Sequence, residues 1–227
     1  MDPPSWDILD TDWPNLTGWT ATGSGTYLNE INPASQLHQV AGNFVGLDYA
    51  LVQRADLGNI PSLFTFEIKA VLDQASTGLP VGTTFDGIIS AIQNGQHMFQ
   101  VYMNTNSIGY YRSGGTQVWF GATTIVNNNI FYKRICCDST TPSIRVYLSL
   151  DGINWTEDID ANDPYVLVTG DGTAKLFCYQ SKNDVIPEHH IEYTRIATGL
   201  WDPTDAGGVG SKKRFGNKFT APLFKGF

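Results

Sequence analysis

Charge is scarce in this chain: Asp, Glu, Lys and Arg make up 16% of its 227 residues, with 14 cations against 22 acids and a formal net charge of -8. That balance excludes a general nucleic-acid binder, because neutralising phosphates requires clustered Lys and Arg. Cysteine is rarer still. The three cysteines, two of them adjacent at Cys136 and Cys137, make neither a disulfide framework nor a zinc spacing, and are expected to be reduced and packed. No apolar run approaches the length that crosses a bilayer, and the start, Met1 to Trp6, lacks a basic segment followed by an apolar one. Synthesis in the cytosol without a signal peptide is therefore expected. In that setting the sequons at Asn15 and Asn154 are ordinary turn residues. Also missing are a nucleophile context for Ser, Cys or Thr and a glycine-rich strand-to-helix element that would cradle phosphate. No enzyme activity, cofactor or metal is expected.

What the chain does have is short alternating runs separated by turn residues. Ile144, Val146, Leu148 and Leu150 fall on one face of a strand and Arg145, Tyr147 and Ser149 on the other, and Asp151-Gly152 then supplies the positive-φ chemistry of a tight turn. Phe64, Phe66 and Ile68 alternate with Thr65, Glu67 and Lys69, which predicts a central strand with the apolar set inward and the polar set outward. Further β-like runs recur from Gln36 to Ala197, with turns such as Gln93-Asn-Gly95, Ser113-Gly-Gly115 and Gly170-Asp-Gly172 between them. This pattern predicts an all-β protein, a two-sheet antiparallel jelly-roll β-sandwich with extended arms. Residues 1–18, rich in Trp, Asp and Pro, read as an extended lead-in, 19–201 as the jelly-roll domain, and 202–227 as a basic-aromatic C-terminal arm.

Charge is segregated along the chain. The arm holds Lys212, Lys213, Arg214, Lys218 and Lys225 against Asp202 and Asp205, net +3, and the remainder carries 9 - 20 = -11. Interleaving of these cations with Phe215, Phe219, Phe224 and Phe227 combines apolar anchors with charge complementarity, which suits docking on an acidic partner such as a neighbouring copy.

Taken in order, Gly18-Trp19, Phe64-Thr-Phe-Glu-Ile-Lys69, Phe99-Gln-Val-Tyr102, Val146-Tyr-Leu-Ser-Leu-Asp-Gly-Ile-Asn-Trp155 and Ile191-Glu-Tyr-Thr-Arg-Ile-Ala197 resemble the concanavalin A-like lectin/glucanase superfamily over roughly Trp13 to Trp201. The resemblance implies a two-sheet jelly roll whose last core strand lies near the first, with one sheet face or its loops able to hold sugars. It also directs attention to the alternating acidic strand of the superfamily's glucanases, which this chain lacks. The nearest acidic run, Glu157-Asp-Ile-Asp160, departs from that spacing and reads as a solvated loop.

Asp158, Asp160 and Asn162 repeat the first spacings of a calcium loop, but Asp163 stands where its glycine belongs and Thr169 where its bidentate Glu belongs, so an Asx-rich turn is the better reading. His189 and His190 would face opposite sides of a strand, one buried or paired and the other exposed. Sugar binding needs an aromatic plate and a few planar polar groups. Tyr110, Arg112, Trp119 and Trp155, with Asn104 and Asn106 in a polar loop beside them, are the candidates.

Together these features describe a non-enzymatic, lectin-like structural or attachment component of a larger assembly, a virion such as a phage particle being the expected kind. The subunit would be made in the host cytoplasm and held as a homo-oligomer through its arm, with no nucleic acid or membrane partner, and would expose a surface to host glycans. The alternatives are a glycoside hydrolase or lyase working through Glu67 or Glu157, and a free carbohydrate-binding module.

Overall fold

The computed structural model describes the backbone of residues 5–24, 27–41, 49–58, 60–72, 85–94, 97–105, 107–112, 118–124, 130–138, 143–161, 172–180 and 188–204. Side chains are described for the same residues except 85–124, 172–180, 41, 49, 72, 143, 159–161 and 188. Among the described residues fifteen strands follow in chain order: β1 (Leu9–Thr11), β2 (Thr20–Ser24), β3 (Tyr27–Ile31), β4 (Leu37–Ala41), β5 (Tyr49–Arg54), β6 (Leu63–Leu72), β7 (Phe85–Asn94), β8 (His97–Thr105), β9 (Ser107–Arg112), β10 (Val118–Thr124), β11 (Ile130–Asp138), β12 (Ser143–Ser149), β13 (Thr156–Ala161), β14 (Gly172–Gln180) and β15 (Glu188–Thr198). Among the described residues there is no helix. An eight-stranded sheet runs β13-β12-β11-β6-β15-β4-β3 with β1 also on β15, and a seven-stranded sheet runs β10-β9-β8-β7-β14-β5-β2. Every pairing is antiparallel. This is the all-β jelly-roll sandwich that the alternation predicts.

The central position of β6 follows from its composition. It pairs with β11 on one side and β15 on the other, and Phe64, Phe66, Ile68 and Ala70 all enter the core, joined by Phe131, Ile135 and Cys137 from the facing register of β11. The opposite face departs from expectation. Thr65 and Glu67 are buried, not solvated, because the chain beyond β15 crosses over them: Gly199 N bonds Leu63 O, and Thr65 Oγ1 donates to Gly199 O and accepts from Trp201 N. The near-continuous burial of β11 from Phe131 to Asp138, its Lys133-Arg134 pair included, reports the same thing, since a strand covered on both faces has no solvated set. Cys136 and Cys137 face opposite sides as buried thiols outside any disulfide, and burial pushes the Cys136 thiol up to about 12.

The lead-in is built into the domain. β1 extends the eight-stranded sheet by pairing with the second half of β15, Asp7 caps Thr198 N, and Trp13 lies fully buried in the core against Trp19 with ring centroids 4.8 Å apart. Trp13 takes a φ of 52°, a left-handed turn that sends the chain from β1 toward the second sheet.

Two ionisable groups interrupt the core face among the described residues. Lys133, the register partner of Ile68 and Leu148, is buried beside Asp158, and desolvation lowers its pKa to about 7 against the pull of that carboxylate. His189 is buried on the inner side of β15. Its Nε2 meets Gln39 Oε1 at 3.0 Å, and Gln39 Nε2 in turn donates to Asn29 Oδ1 at 2.8 Å. Its neighbour His190 is half-buried and stacks on His38, centroids 4.4 Å apart, so neither histidine is simply exposed.

Desolvation, then the nearby His190 and His38, depress His189 to about 3. Below the ordinary imidazole pKa near 6.5 the unfolded chain therefore takes up a proton that the folded chain refuses. Stability attached to this residue is full above pH 6.5 and falls as the pH drops toward 3, by about 1.4 kcal/mol per pH unit, or roughly 2 kcal/mol at pH 5. Urea melts of the wild type and His189→Gln between pH 5 and 8 should show the wild type losing that much more on acidification. Parallel pH profiles would refute the assignment.

Candidate functional site

Sequence alternation on β6 and β11 places Glu67 and Arg134 as register partners on the outer face of the eight-stranded sheet. Arg134 Nε and Nη2 both engage Glu67 Oε2, Tyr193 donates to Glu67 Oε1 at 2.6 Å, and Arg134 Nη1 donates to Trp201 O at 3.2 Å. Trp155 lies over the guanidinium at 4.7 Å and Trp6 at 5.8 Å. With aromatic rings as a roof, Glu67 is 3% exposed and Arg134 1%. Burial, then the Glu67 charge, raises the Tyr193 hydroxyl well above the phenol range, so it stays a donor. Both oxygens of Glu67 are thus occupied, which leaves this carboxylate poorly placed to move protons for a substrate.

Around this pair lies a belt of partly exposed groups. Tyr132 sits 6.3 Å from Trp155 and 6.4 Å from Tyr193, Lys69 pairs with Glu192, and Arg195 lies 3.9 Å over Tyr193 while binding Asp10 and Asp12 at 2.8 and 3.0 Å. Tyr132, Tyr193 and Trp201 were not among the residues expected to matter. Their signal was the outward parity they share with Arg134 and Arg195, which is visible only once the register of three strands is known.

Glu157 to Asp160 corrects an expectation. The run is not a loop but part of β13, where two cations of the same sheet offset it: Arg145 of the neighbouring β12 lies 3.7 Å from Glu157, and Lys133 of β11, one strand further in, adjoins Asp158, the extra residue of a bulge opposite Val146 and Tyr147. Asp160 is the register partner of Arg145. Among the described residues, no group of three His, Cys, Asp or Glu is arranged to hold a metal.

Trp155 closes the turn between β12 and β13. Asp151 Oδ1 accepts from Ile153 N at 2.8 Å and Asn154 N at 2.7 Å, and these backbone bonds hold its carboxyl well below the usual range. Gly152, at φ 74°, lies where a Cβ would come within 3.0 Å of the Tyr132 ring, so both backbone and space require glycine. The other sugar-site candidates sit on the second sheet. Trp119 is the register partner of Tyr110, in a row that continues through Val101, Ser90 and Leu176 to Val52, whose own side chain is in the core. Arg112 pairs with Phe99, and Asn104 pairs with Ser107 at the opposite end of the β8–β9 hairpin. Asn106 and the arm residues Lys212, Lys213, Arg214, Phe215, Phe219, Phe224 and Phe227 lie outside the described residues. β10 and β13, edge strands of different sheets, adjoin, so Trp119 and the Trp155 turn come to one border of the sandwich.

No protein-family model and no curated protein matches the chain. Solved structures do. A seed lectin of Lotus tetragonolobus superposes with a TM-score of 0.60 at 11% identity, covering 86% of this chain and 99% of its own. The lectin UEA-II in complex with galactose gives 0.59 at 10% identity, over 85% and 98%. The fold is that of the concanavalin A-like lectins. The exoplasmic/lumenal domain of VIP36 in a Ca2+/Man3GlcNAc-bound form shares it too, at a TM-score of 0.57 and 11% identity over 86% of this chain and 90% of that one. At such identities the lectin-like fold is what the chains have in common, and side-chain roles have to be argued from this chain's own residues.

Proposed function

We propose that this lectin-like protein is a non-enzymatic carbohydrate binder that holds glycans at the border where β10 meets β13, and that it serves as a structural or attachment component of a larger assembly, of the virion kind. The observation that carries the binding reading is the approach of those two edge strands. It brings the β9–β10 hairpin, with Trp119 and Tyr110 as register partners, to the same border as the Trp155 turn, so that aromatics of two hairpins meet there, Trp155 from the outer face and the Trp119 row from the side that continues to core-facing Val52. Two structural neighbours were solved with galactose or in a Ca2+/Man3GlcNAc-bound form, which supports the ligand class. The non-enzymatic reading is supported by the state of Glu67 and Glu157, the carboxylates a hydrolase would need, each engaged by an arginine.

A glycan array probed with the wild type, Trp119→Ala and Trp155→Ala tests the proposal. Removal of a stacking ring should weaken binding about tenfold or more, roughly 1.4 kcal/mol. No glycan bound, or binding indifferent to both changes, would remove this surface. The assembly role is supported by the segregation of charge between a +3 arm and a -11 body. It predicts that truncation after Thr204 leaves the domain folded and abolishes association.

A further inference from the structure

The described residues expose large apolar side chains at two places. Tyr27 and Leu28 lie on β3, one edge of the eight-stranded sheet, while Ile130, Leu150 and Ile153 stand at the same end of β11 and β12 and on the turn that leads to β13. Ile153 is 81% exposed, Leu150 46% and Ile130 39%. Ile130 stands two residues beyond the Tyr132–Ser149 register pair, which sets it level with the turn. This turn is tightly held. Besides its two backbone bonds, Asp151 takes Asn154 Nδ2 at 2.6 Å and Ser149 Oγ at 3.0 Å, and Gly152 N bonds Ser149 Oγ at 2.9 Å. An aliphatic side chain fixed outward on a rigid turn is an interface anchor rather than a fluctuating loop tip. Its rim is acidic on balance: Asp151 and Glu157 are both exposed, and Arg145, which lies 3.7 Å from both Glu157 and Asp202, offsets only part of that charge.

The segment that complements this patch is in the same sequence. Lys212–Phe227 carries five cations, four phenylalanines and no acid. Its root is fixed in the structure: Tyr147 donates to Asp202 Oδ2 at 2.6 Å, Arg145 lies 3.7 Å from the same carboxylate, and Asp202 Oδ1 accepts from Thr204. Although burial opposes it, the hydrogen bonds from Thr204 and Tyr147 hold Asp202 below the usual carboxyl range, so the anchor stays charged. Residues 205–211 can span about 23 Å when extended, enough to carry the cationic stretch off its own sheet. We infer that the Lys212–Phe227 segment of one copy docks on the Ile153 turn of the next, its phenylalanines on Ile153 and the flanking Leu150 and Ile130 and its cations on the Asp151–Glu157 rim. This rests on the assembly reading above and names the surface that receives the arm. Because donor and receptor are different surfaces, the contact is head-to-tail, as in rings or filaments.

Sedimentation velocity of the full-length chain over a range of concentrations tests this, with Ile153→Asp, the triple change K212E/K213E/R214E and the truncation after Thr204 as variants. Circular dichroism confirms that each is folded, which the exposure of Ile153 favours. The full chain should associate, and Ile153→Asp and the triple change should each raise the dissociation constant at least tenfold, approaching the truncated chain. If truncation dissociates the assembly but Ile153→Asp and Leu150→Asp leave it intact, the arm docks elsewhere and this inference fails while the assembly reading stands. A full chain that is monomeric throughout, or a truncated chain that associates equally well, overturns both.

Discussion

Trp13→Ala should lower the free energy of unfolding by about 3–5 kcal/mol, a large share of what holds a domain of this kind together. The indole is fully buried in the core cluster and tilted against Trp19 at an interplanar angle of 46°. Removing it leaves a cavity between the layers and loosens the corner by which β1 reaches the eight-stranded sheet. Trp13 Nε1 meets no hydrogen-bond acceptor among the described residues, so the ring contributes through its size and not its polarity. Trp13→Phe should therefore cost well under half as much. Equilibrium denaturation of the three proteins decides it: equal losses for Phe and Ala would mean the indole nitrogen matters after all, and a loss below about 1 kcal/mol for Ala would mean the lead-in is dispensable.

The second large effect is expected at Arg134. Changing it to Ala strands the Glu67 charge under aromatic rings, removes the donor to Trp201 O and takes away the cation beneath Trp155. Breaking one side of a buried pair costs about 3–5 kcal/mol, most of it from the ion left behind. Replacing both partners, as Glu67→Leu with Arg134→Met, should recover most of that loss, since a well-packed apolar pair often matches a buried ionic one. Urea melts of the four proteins in the double-mutant cycle measure the coupling. A single Arg134 variant as stable as the wild type would show that the pair is hydrated and not sealed.

The sandwich was legible in the sequence because its strands alternate. The Phe64, Phe66, Ile68 stripe and the Ile144, Val146, Leu148 stripe both face the core as their period of two requires. Four strands escaped that reading for identifiable reasons, among them β3, an edge strand with no fully buried residue. β1 is short and hides among Trp, Asp and Pro, β2 is a Thr-Ala-Thr-Gly-Ser stretch without an apolar stripe, and β13 is acidic, stabilised by Arg145 and Lys133 from strands that only the sheet order places near it. Burial of the polar set on β6 was likewise beyond a strand-by-strand reading, because its cover comes from Trp6, Trp155 and Trp201, which lie far from it in sequence. Of the candidate site, Trp155 was legible as an aromatic at a turn. Its contact with Arg134 was not, because nothing local to either residue encodes it.

β15, the last of the described strands in chain order, sits between β6 and the strands contributed by residues 9–11 and 37–41. During synthesis the ribosome must therefore release Thr198 before the larger sheet can close. Until then β1 has no partner, and β6 presents an open edge along its length. Loop closure over such separations makes folding slow and dependent on completion of the chain. Nascent chains of this protein would stay open to chaperones until the final strand emerged, then zip shut at both ends of β15 in a single step.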